Sequence, residues 1–559
     1  MTRPMSSPRT GGQILVANLL AQGVDLAFCV PGESYLPVLD ALYDVRDRLR
    51  LIVCRQEGGA AYMAEAYGKL TGRPGIALVT RGPGASNAAV GIHTAVQDSS
   101  PMIVFIGQVG GDFADREAFQ EIDYRRMYGS SVKWVAQIDR ADRIPEYIAR
   151  AFRVAQSGRP GPVVLALPED MLSSRAAVDD AARVEATVLH PGAAAIDALR
   201  ARLAEAKRPL LIAGGSGWNE SACADLASFV AANALPAACA FRNQDLLDNR
   251  SNHYAGEVGI GPNPKLAARV RDADLLLVIG ERLGEMVTSG YTLLSVPHPT
   301  QALIHVHPGA DELGKVYQPS LAIAASLPAF CAALAAMPPI AAPAWAGSAA
   351  QAHADYLAWQ SPRPMPGELD LWRVVGFLRD RLPEDAILVN GAGNYATWLH
   401  RLYRYPRYRT QLAPYSGSMG YGVPAAIAAK AVCPDRIVLS WNGDGCFLMN
   451  GQELATAFQY GLNVVFVVVD NGMYGTIRMH QEKYYPARVY GTDLVNPDFA
   501  ALARAYGAHG ETVRRTAEFE PAFERALAHD GPSLLHLRLD PQAITMNATI
   551  DQLRAQASP

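Results

Sequence analysis

From Gly12 onward the chain alternates segments with apolar residues at helical spacing and short runs rich in Val, Ile and Leu. ILVANLLAQGV, LAFCVPG, LPVLDALYDV and LRLIVCRQE open a series that closes with GPVVLALPED at 161–170. Helices alternating with buried apolar strands predict a parallel sheet covered on both faces. A first α/β domain is therefore expected over 1–175. Residues 173–192 are polar and Ala-rich without apolar periodicity. After them PLLIAGGSG (209–217), DLLLVIGERLG (274–284) and ALIHVHPG (302–309) read as strand ends of a second α/β domain, placed at 190–340. The stretches AMPPIAAPAWAGS (336–348) and SPRPMPGE (361–368) have the Pro- and Ala-rich texture of a linker, assigned to 341–368. A third block, 369–545, carries the strands AILVNG (386–391), RIVLSWNGDG (436–445), LNVVFVVVDN (462–471) and SLLHLRL (533–539). The expected fold class is α/β, with three consecutive parallel-sheet domains.

Composition narrows the function. A length of 559 residues suits three domains at roughly 100–200 residues each. Fifty basic against fifty-four acidic residues leave a net charge of −4, so no global field gathers nucleic acid or an anionic membrane. Any anionic ligand must be held locally. The seven cysteines, at 29, 54, 223, 239, 331, 433 and 446, form no CxxC or zinc-like array and read as reduced core residues. The first ten residues hold no apolar core of an export signal, and runs such as 464–469 fall far short of the ~20 apolar residues that span a bilayer. A cytoplasmic protein with no membrane partner is expected.

The strongest local signal is Gly443-Asp444-Gly445, with Asn471 twenty-seven residues after Asp444. Both lie at carboxyl ends of predicted strands, where ligand crevices of open α/β sheets form. The intervening helix NGQELATAFQYG (450–461) has Asn450 and Glu453 spaced as a capping pair. A carboxylate and a carboxamide converging there suit Mg²⁺, a hard cation that accompanies phosphate oxygens. Taken alone, GDG is also ordinary turn vocabulary. Gly391-Ala392-Gly393-Asn394-Tyr395-Ala396 imitates a dinucleotide fingerprint, but no Asp or Glu follows between Ala392 and Pro434 to hold a ribose, so that reading fails. RLYRYPRYRTQ (401–411) has an RNA-like texture and, without a wider basic surface, reads as a solvated or intersubunit loop. His305 and His307 alternate on one strand without a third ligand and read as ordinary strand-end histidines.

The segment WNGDGCFLMNGQELATAFQYGLNVVFVVVDNGMYG (441–475) resembles the thiamin diphosphate motif of the acetolactate synthase and pyruvate decarboxylase superfamily, with Asp470-Asn471 in place of the usual Asn-Asn. By that resemblance Asp444, Asn471 and the Met473 carbonyl hold Mg²⁺ against the cofactor's diphosphate. Gly443, Gly445, Cys446, Tyr474 and Gly475 then line the cofactor site, and GAGN (391–394) brings Gly393 and Asn394 to it through backbone amides. GSMGYGVPAAIAA (417–429) is similar to the segment that props the cofactor's bent form, which assigns Gly417 to the site and makes Met419 the wedge; a buried Met is otherwise plain core filler. In the first domain RQEGGAAYMAEAYGKLTGRPGIALVTRGPGASNAAVGIHTA (55–95) looks like the pyrimidine-binding half of the site. Pro31 and Gly32 join the cofactor-binding set, and Glu57 matches the catalytic glutamate. Thiamin's C2 proton is too weakly acidic to leave unaided, and a carboxyl group on the aminopyrimidine favours the tautomer that takes it. Such a glutamate is expected in an apolar pocket with a raised pKa. Its position just before a helix start at Gly58 also suits a helix dipole. In AFQEID (118–123), Phe119 and Gln120 are implied near the reacting ring, Gln120 as a catalytic candidate.

Within the acetolactate synthase branch several positions depart from the family pattern. Gly-x-Arg-Phe-Asp-Asp-Arg-Val-Thr-Gly becomes GERLGEMVTS (280–289), so the second Arg is Met286. The Gln-Trp-Gln run becomes Met479-His480-Gln481, and Pro-Lys-Asp becomes Pro168-Glu169-Asp170. An arginine binds a carboxylate bidentately and a thioether cannot. A second 2-keto acid therefore loses an anchor, which leaves an aldehyde or other non-carboxylate acceptor open. His480 reads either as an acid or base near neutrality or as a polar wall residue. FAD, a family companion, is left in doubt: the Gly-Met-His-Gly flavin segment has no counterpart in GEVGIGPNPKLAARV (256–270), although LLIAGGSG (210–217) keeps a nucleotide-shaped turn. The implied function is thiamin diphosphate- and Mg²⁺-dependent decarboxylation of a 2-keto acid such as pyruvate, followed by carboligation. Simple decarboxylation, a 2-hydroxyacyl-CoA lyase and a non-catalytic cofactor-binding scaffold are the alternatives. The family draws the pyrimidine and diphosphate ends from different chains, implying a homodimer or homotetramer.

Overall fold

The computed structural model describes residues 7–557. The first six residues of the stretch read for an export signal lie outside the described residues. Three six-stranded sheets, all parallel within themselves, make up the architecture. Their central strands, such as Pro162–Pro168 and Val464–Asp470, are buried along their whole length. Near-continuous apolar runs are what a parallel sheet covered on both faces demands.

The chain forms two compact units. The first runs to Thr187 and takes in 427–432 and 450–462. Here Thr10 opens helix Gly11–Ala21 with a capping box, its hydroxyl accepting from the Gln13 amide at 3.2 Å while its own amide donates to the Gln13 side chain at 3.0 Å. The sheet runs Arg50–Val53, Leu26–Cys29, Gly75–Val79, Met102–Gln108, Pro162–Pro168, Trp134–Gln137. Counted by chain order within the sheet, this is 2-1-3-4-6-5.

The second unit holds the other two sheets. The central one runs Tyr254–Val258, Ala237–Ala240, Pro209–Ala213, Leu275–Ile279, Ala302–His307, Leu321–Ala324, an order of 3-2-1-4-5-6. The last one runs Gln411–Leu412, Ile387–Asn390, Val438–Gly443, Val464–Asp470, Ser533–Arg538, His509–Val513, which repeats the 2-1-3-4-6-5 order of the first sheet. Strand order reverses between the first and third strands of that sheet, and a crevice opens at their carboxyl ends.

Two segments differ from the sequence reading. The stretch assigned to the linker contains helix Ser348–Trp359, which packs on the central sheet: the Asp355 carboxylate takes Lys265 at 2.7 Å and Arg269 at 2.9 Å, and Tyr356 meets Tyr254 edge to face. Residues 401–411 are a packed segment rather than a solvated loop. Tyr403 and Tyr405 are buried, Tyr408 donates to the Trp218 carbonyl at 2.8 Å, and the Arg401 guanidinium lies 3.5 Å above the Trp359 ring. Each tyrosine removes on the order of 150–250 Å² from water, which outweighs what the interleaved arginines gain from solvation. All seven cysteines are free thiols and six are buried. His305 is buried with Nε2 on the Glu281 carbonyl at 2.8 Å. No helix among the described residues is long and apolar enough to cross a membrane.

Candidate active site

In the last sheet, Ile387–Asn390 and Val438–Gly443 flank the point where strand order reverses. Their carboxyl ends deliver residues 391–394 and 443–446, and the neighbouring strand Val464–Asp470 delivers Asn471 to Gly475. A cavity of about 230 Å³ lies there, and all twelve residues of this domain expected to bind the cofactor, from Gly393 to Gly475, line it. Met419, half-buried, stands on its wall. Gly443 is glycine for a steric reason: a Cβ there would stand 2.6 Å from the Tyr395 ring, whose hydroxyl reaches the Cys446 sulfur at 3.1 Å. The Asn394 amide does not stay open as an anion donor, because it is bound to the Thr476 hydroxyl at 3.0 Å.

Asp444 is buried. Its Oδ1 accepts from the Gly445 amide at 2.8 Å, and its Oδ2 accepts from the Gly472 amide at 3.1 Å and from the Asn496 amino group at 2.8 Å. Burial pushes its pKa up to about 6. Asp470 is also buried. Burial works against its charge, but contacts with His536 and Asn496 hold its carboxyl below the usual value. The loop carrying Asn471 and Met473 is zipped to residues 492–494: Tyr474 donates its amide to the Thr492 carbonyl and Leu494 donates to the Gly472 carbonyl, each at 2.8 Å. The Asp444 carboxylate, the Asn471 carboxamide and the Met473 carbonyl are the hard oxygen donors that Mg²⁺ takes, so the residues fit the ion.

Helix Gly475–Tyr484 leaves this loop. Its buried Glu482 is held by Arg554 at 2.8 Å and 3.0 Å and by Arg478 at 2.9 Å, and the Arg554 hydrogen bond in particular pulls its pKa down to about 2. The folded value lies below the ~4.3 of an unfolded glutamate. The resulting stability is therefore present above that value and lost as pH falls toward 2. Glu482→Gln should lower the thermal midpoint at pH 7, the two proteins converging in a midpoint series between pH 5 and pH 2; parallel curves would refute the assignment.

The first unit presents the other expected residues. Glu57 is the first residue of helix Glu57–Thr71, one position earlier than read from the sequence, and Gln56 caps it. Glu57 is half-buried, and Oε2 accepts from Asn87 at 2.9 Å. Oε1 stands 3.3 Å from where a Cβ on Gly84 would lie, so the glycine gives this carboxylate room. The capping pair inferred from Asn450 and Glu453 does not form. No side chain caps that helix at Asn450, and the Glu453 carboxylate instead takes the backbone amides of Arg55 and Gln56 at 3.0 Å and the Thr456 hydroxyl at 2.6 Å. Fully buried, it satisfies donors in the turn that leads into Glu57. Pro31 and Gly32 stand where strand order reverses in this sheet, and a Cβ on Gly32 would meet Thr80 at 2.5 Å. Phe119 is 72 % exposed; Gln120 has φ 65° and its carbonyl accepts from the Gly82 amide at 2.9 Å. Arg81, beside Gly82, pairs with Glu169 at 2.8 Å.

Met286 and His480 are not among the residues lining the cavity. Met286 packs half-buried on the apolar face of the central sheet, and His480 is exposed and stacked on Tyr484 with ring centroids 6.0 Å apart. The nucleotide-shaped turn of the central domain does not fit a flavin diphosphate. The Gly215 amide is bound to Asn243 Oδ1 at 3.1 Å, and the Glu281 carboxylate stands 2.8 Å from where a Cβ on Gly214 would lie. A carboxyl group faces that turn where a diphosphate would need donors. Sequence reasoning also missed Tyr395, met only as a spacer in the failed dinucleotide fingerprint, and Thr476, Asn496 and the carboxyl-terminal wall residues Ala543 and Ile544, which carry no periodic or motif signal.

The class follows from comparison with known proteins. Residues 9–127 match the thiamine pyrophosphate enzyme N-terminal TPP binding domain, 196–334 its central domain and 391–537 its C-terminal TPP binding domain. The chain belongs to the thiamine pyrophosphate enzyme family and is a thiamin diphosphate-dependent enzyme, which sets aside the non-catalytic scaffold. Among its relatives it is 33% identical over 533 residues, 95% of each chain, to the acetolactate synthase isozyme 2 large subunit of Escherichia coli K12. It is 30% identical to the acetolactate synthase large subunits of Corynebacterium glutamicum, over 92% of this chain and 84% of that one, and of Lactococcus lactis subsp. lactis, over 90% and 88%.

Proposed function

We propose that this enzyme uses thiamin diphosphate and Mg²⁺ to decarboxylate a 2-keto acid such as pyruvate and to join the remaining acyl unit to a second carbonyl compound, in the manner of acetolactate synthase. The convergence of twelve motif residues on one cavity at a strand-order reversal supports the reading. When bound, the cofactor supplies a nucleophilic carbon and an electron sink for decarboxylation. Asp444, Asn471 and the Met473 carbonyl would hold the ion that neutralises its diphosphate, and Met419 would support its bent form. Glu57 would hold a proton at the aminopyrimidine, oriented by Asn87. Gln120 and Phe119 would face the acyl donor. The pyrimidine and diphosphate ends would come from different copies, so the active form would be at least a homodimer.

The loss of an arginine at Met286 favours an aldehyde acceptor or plain protonation, because a thioether gives a carboxylate nothing to pair with; Met286 itself stands outside the Asp444 cavity. Incubation with pyruvate separates the outcomes: acetolactate or acetoin marks carboligation and acetaldehyde marks decarboxylation. No release of CO₂ from pyruvate or from a panel of other 2-keto acids would sink the reading.

A further inference from the structure

Asp470 occupies the position where the family's usual sequence has asparagine, and this gives Asp444 a second buried carboxylate that shares its donors. Two donors serve both anions. The Asn496 amino group donates to Asp444 Oδ2 and to Asp470 Oδ1, each at 2.8 Å, and the Gly472 amide is shared between the same two oxygens at 3.1 Å and 2.9 Å. The other Asp470 oxygen meets His536 Nε2 at 2.8 Å. Like charges that share one donor repel each other through a poorly screening interior. Asn496 Oδ1 is buried and makes no hydrogen bond among the described residues, so the side chain's polar contacts are all made by its amino group. Asn496 itself is fixed from both sides: Leu494 is tied to the Gly472 carbonyl, and Asp498 caps helix Phe499–Ala505.

We infer that Asn496 is a positioning residue for the metal-binding carboxylate: its amino group holds Asp444 and Asp470 together and keeps Asp444 turned for the divalent ion. The inference rests on the metal reading of this site proposed above. Losing the Asn496 donor leaves the Gly472 amide alone between Asp444 and Asp470, so the two carboxylates push apart, which moves the ligand. Removing the Asp470 charge leaves the bridge little to offset.

The test is calorimetric titration of MgCl₂ into the full-length protein with saturating thiamin diphosphate. Asn496→Ala should raise the Mg²⁺ dissociation constant at least ~10-fold, the scale of an outer-sphere loss at a metal site. Asp470→Asn should stay within about threefold of wild type, as should Asp470→Asn combined with Asn496→Ala. A merely structural Asn496 would weaken binding equally in both backgrounds, and that result overturns the inference, as does unchanged Mg²⁺ binding by Asn496→Ala. If Asn496→Ala does not fold, the comparison runs with Asn496→Gln, whose displaced amino group should weaken binding only while Asp470 is present; equal weakening in both backgrounds again overturns the inference. Failure of the metal reading is visible separately, as a wild-type protein that binds no Mg²⁺ with the cofactor.

Discussion

Glu57→Gln is expected to cut turnover of the accepted 2-keto acid by about 10²- to 10⁴-fold, the usual contribution of a positioned proton-transfer group, while thiamin diphosphate still binds. Glutamine keeps the shape and an oxygen for the Asn87 amide that now lies 2.9 Å from Oε2. What it loses is the proton. The structural cost is small: Glu57 opens a 15-residue helix, and removing a first-turn anion costs roughly 0.3–1 kcal/mol at an exposed end. A loss of that size leaves the protein folded and cannot imitate a thousandfold kinetic effect. Three measurements decide the matter: turnover, cofactor affinity by calorimetry, and the thermal midpoint. Unaltered turnover would remove Glu57 from the chemistry. Turnover and cofactor binding lost together would make it a binding residue.

What was legible in the chain follows from which interactions are local. Strands such as Val464–Asp470 are buried on both faces, so their apolar runs announce a parallel sheet without help from the rest of the molecule. The 2-1-3-4-6-5 order leaves no such mark, because any chain of alternating helices and strands can close in several orders. The pair Asp444 and Asn471, proposed for the metal, was legible as a pair because the two residues sit at the ends of neighbouring strands, a relation with a regular spacing in sequence. Asn496 was not: it reaches both carboxylates from a loop whose path depends on the zipper between residues 472–474 and 492–494. Glu453 shows the same limit in reverse. Asn450 and Glu453 have the spacing of a local cap, yet the donors that carboxylate satisfies lie almost 400 residues away, on Arg55 and Gln56. Spacing states which partners are possible, and burial chooses among them. In 401–411 the arginines suggested solvent, but the tyrosine rings between them decided the packing.

Asp444→Ala should abolish Mg²⁺-supported cofactor binding, with the Mg²⁺ dissociation constant rising by at least ~100-fold, beyond the 10- to 100-fold typical of residues one shell removed from a metal. Asp444 is the only acidic side chain among the three proposed donors, so the carboxamide of Asn471 and the carbonyl of Met473 would be left to hold a divalent ion with dipoles alone. Folding should respond differently. The substitution leaves the Gly445 and Gly472 amides and the Asn496 amino group each short of one acceptor, at about 1–3 kcal/mol per unpaired buried donor. Gly472 and Asn496 keep Asp470, and removal of one of two adjacent buried anions works in the opposite direction. The midpoint of the ligand-free protein is therefore expected to fall only modestly. The separation appears when ligand is added. At concentrations near a hundred times its dissociation constant a ligand stabilises the folded wild type by about 2.7 kcal/mol, and the same mixture should leave the variant's midpoint where it was. A variant that still gains stability from Mg²⁺ and thiamin diphosphate would show that the ion is held elsewhere, because no other acidic side chain is proposed to touch it.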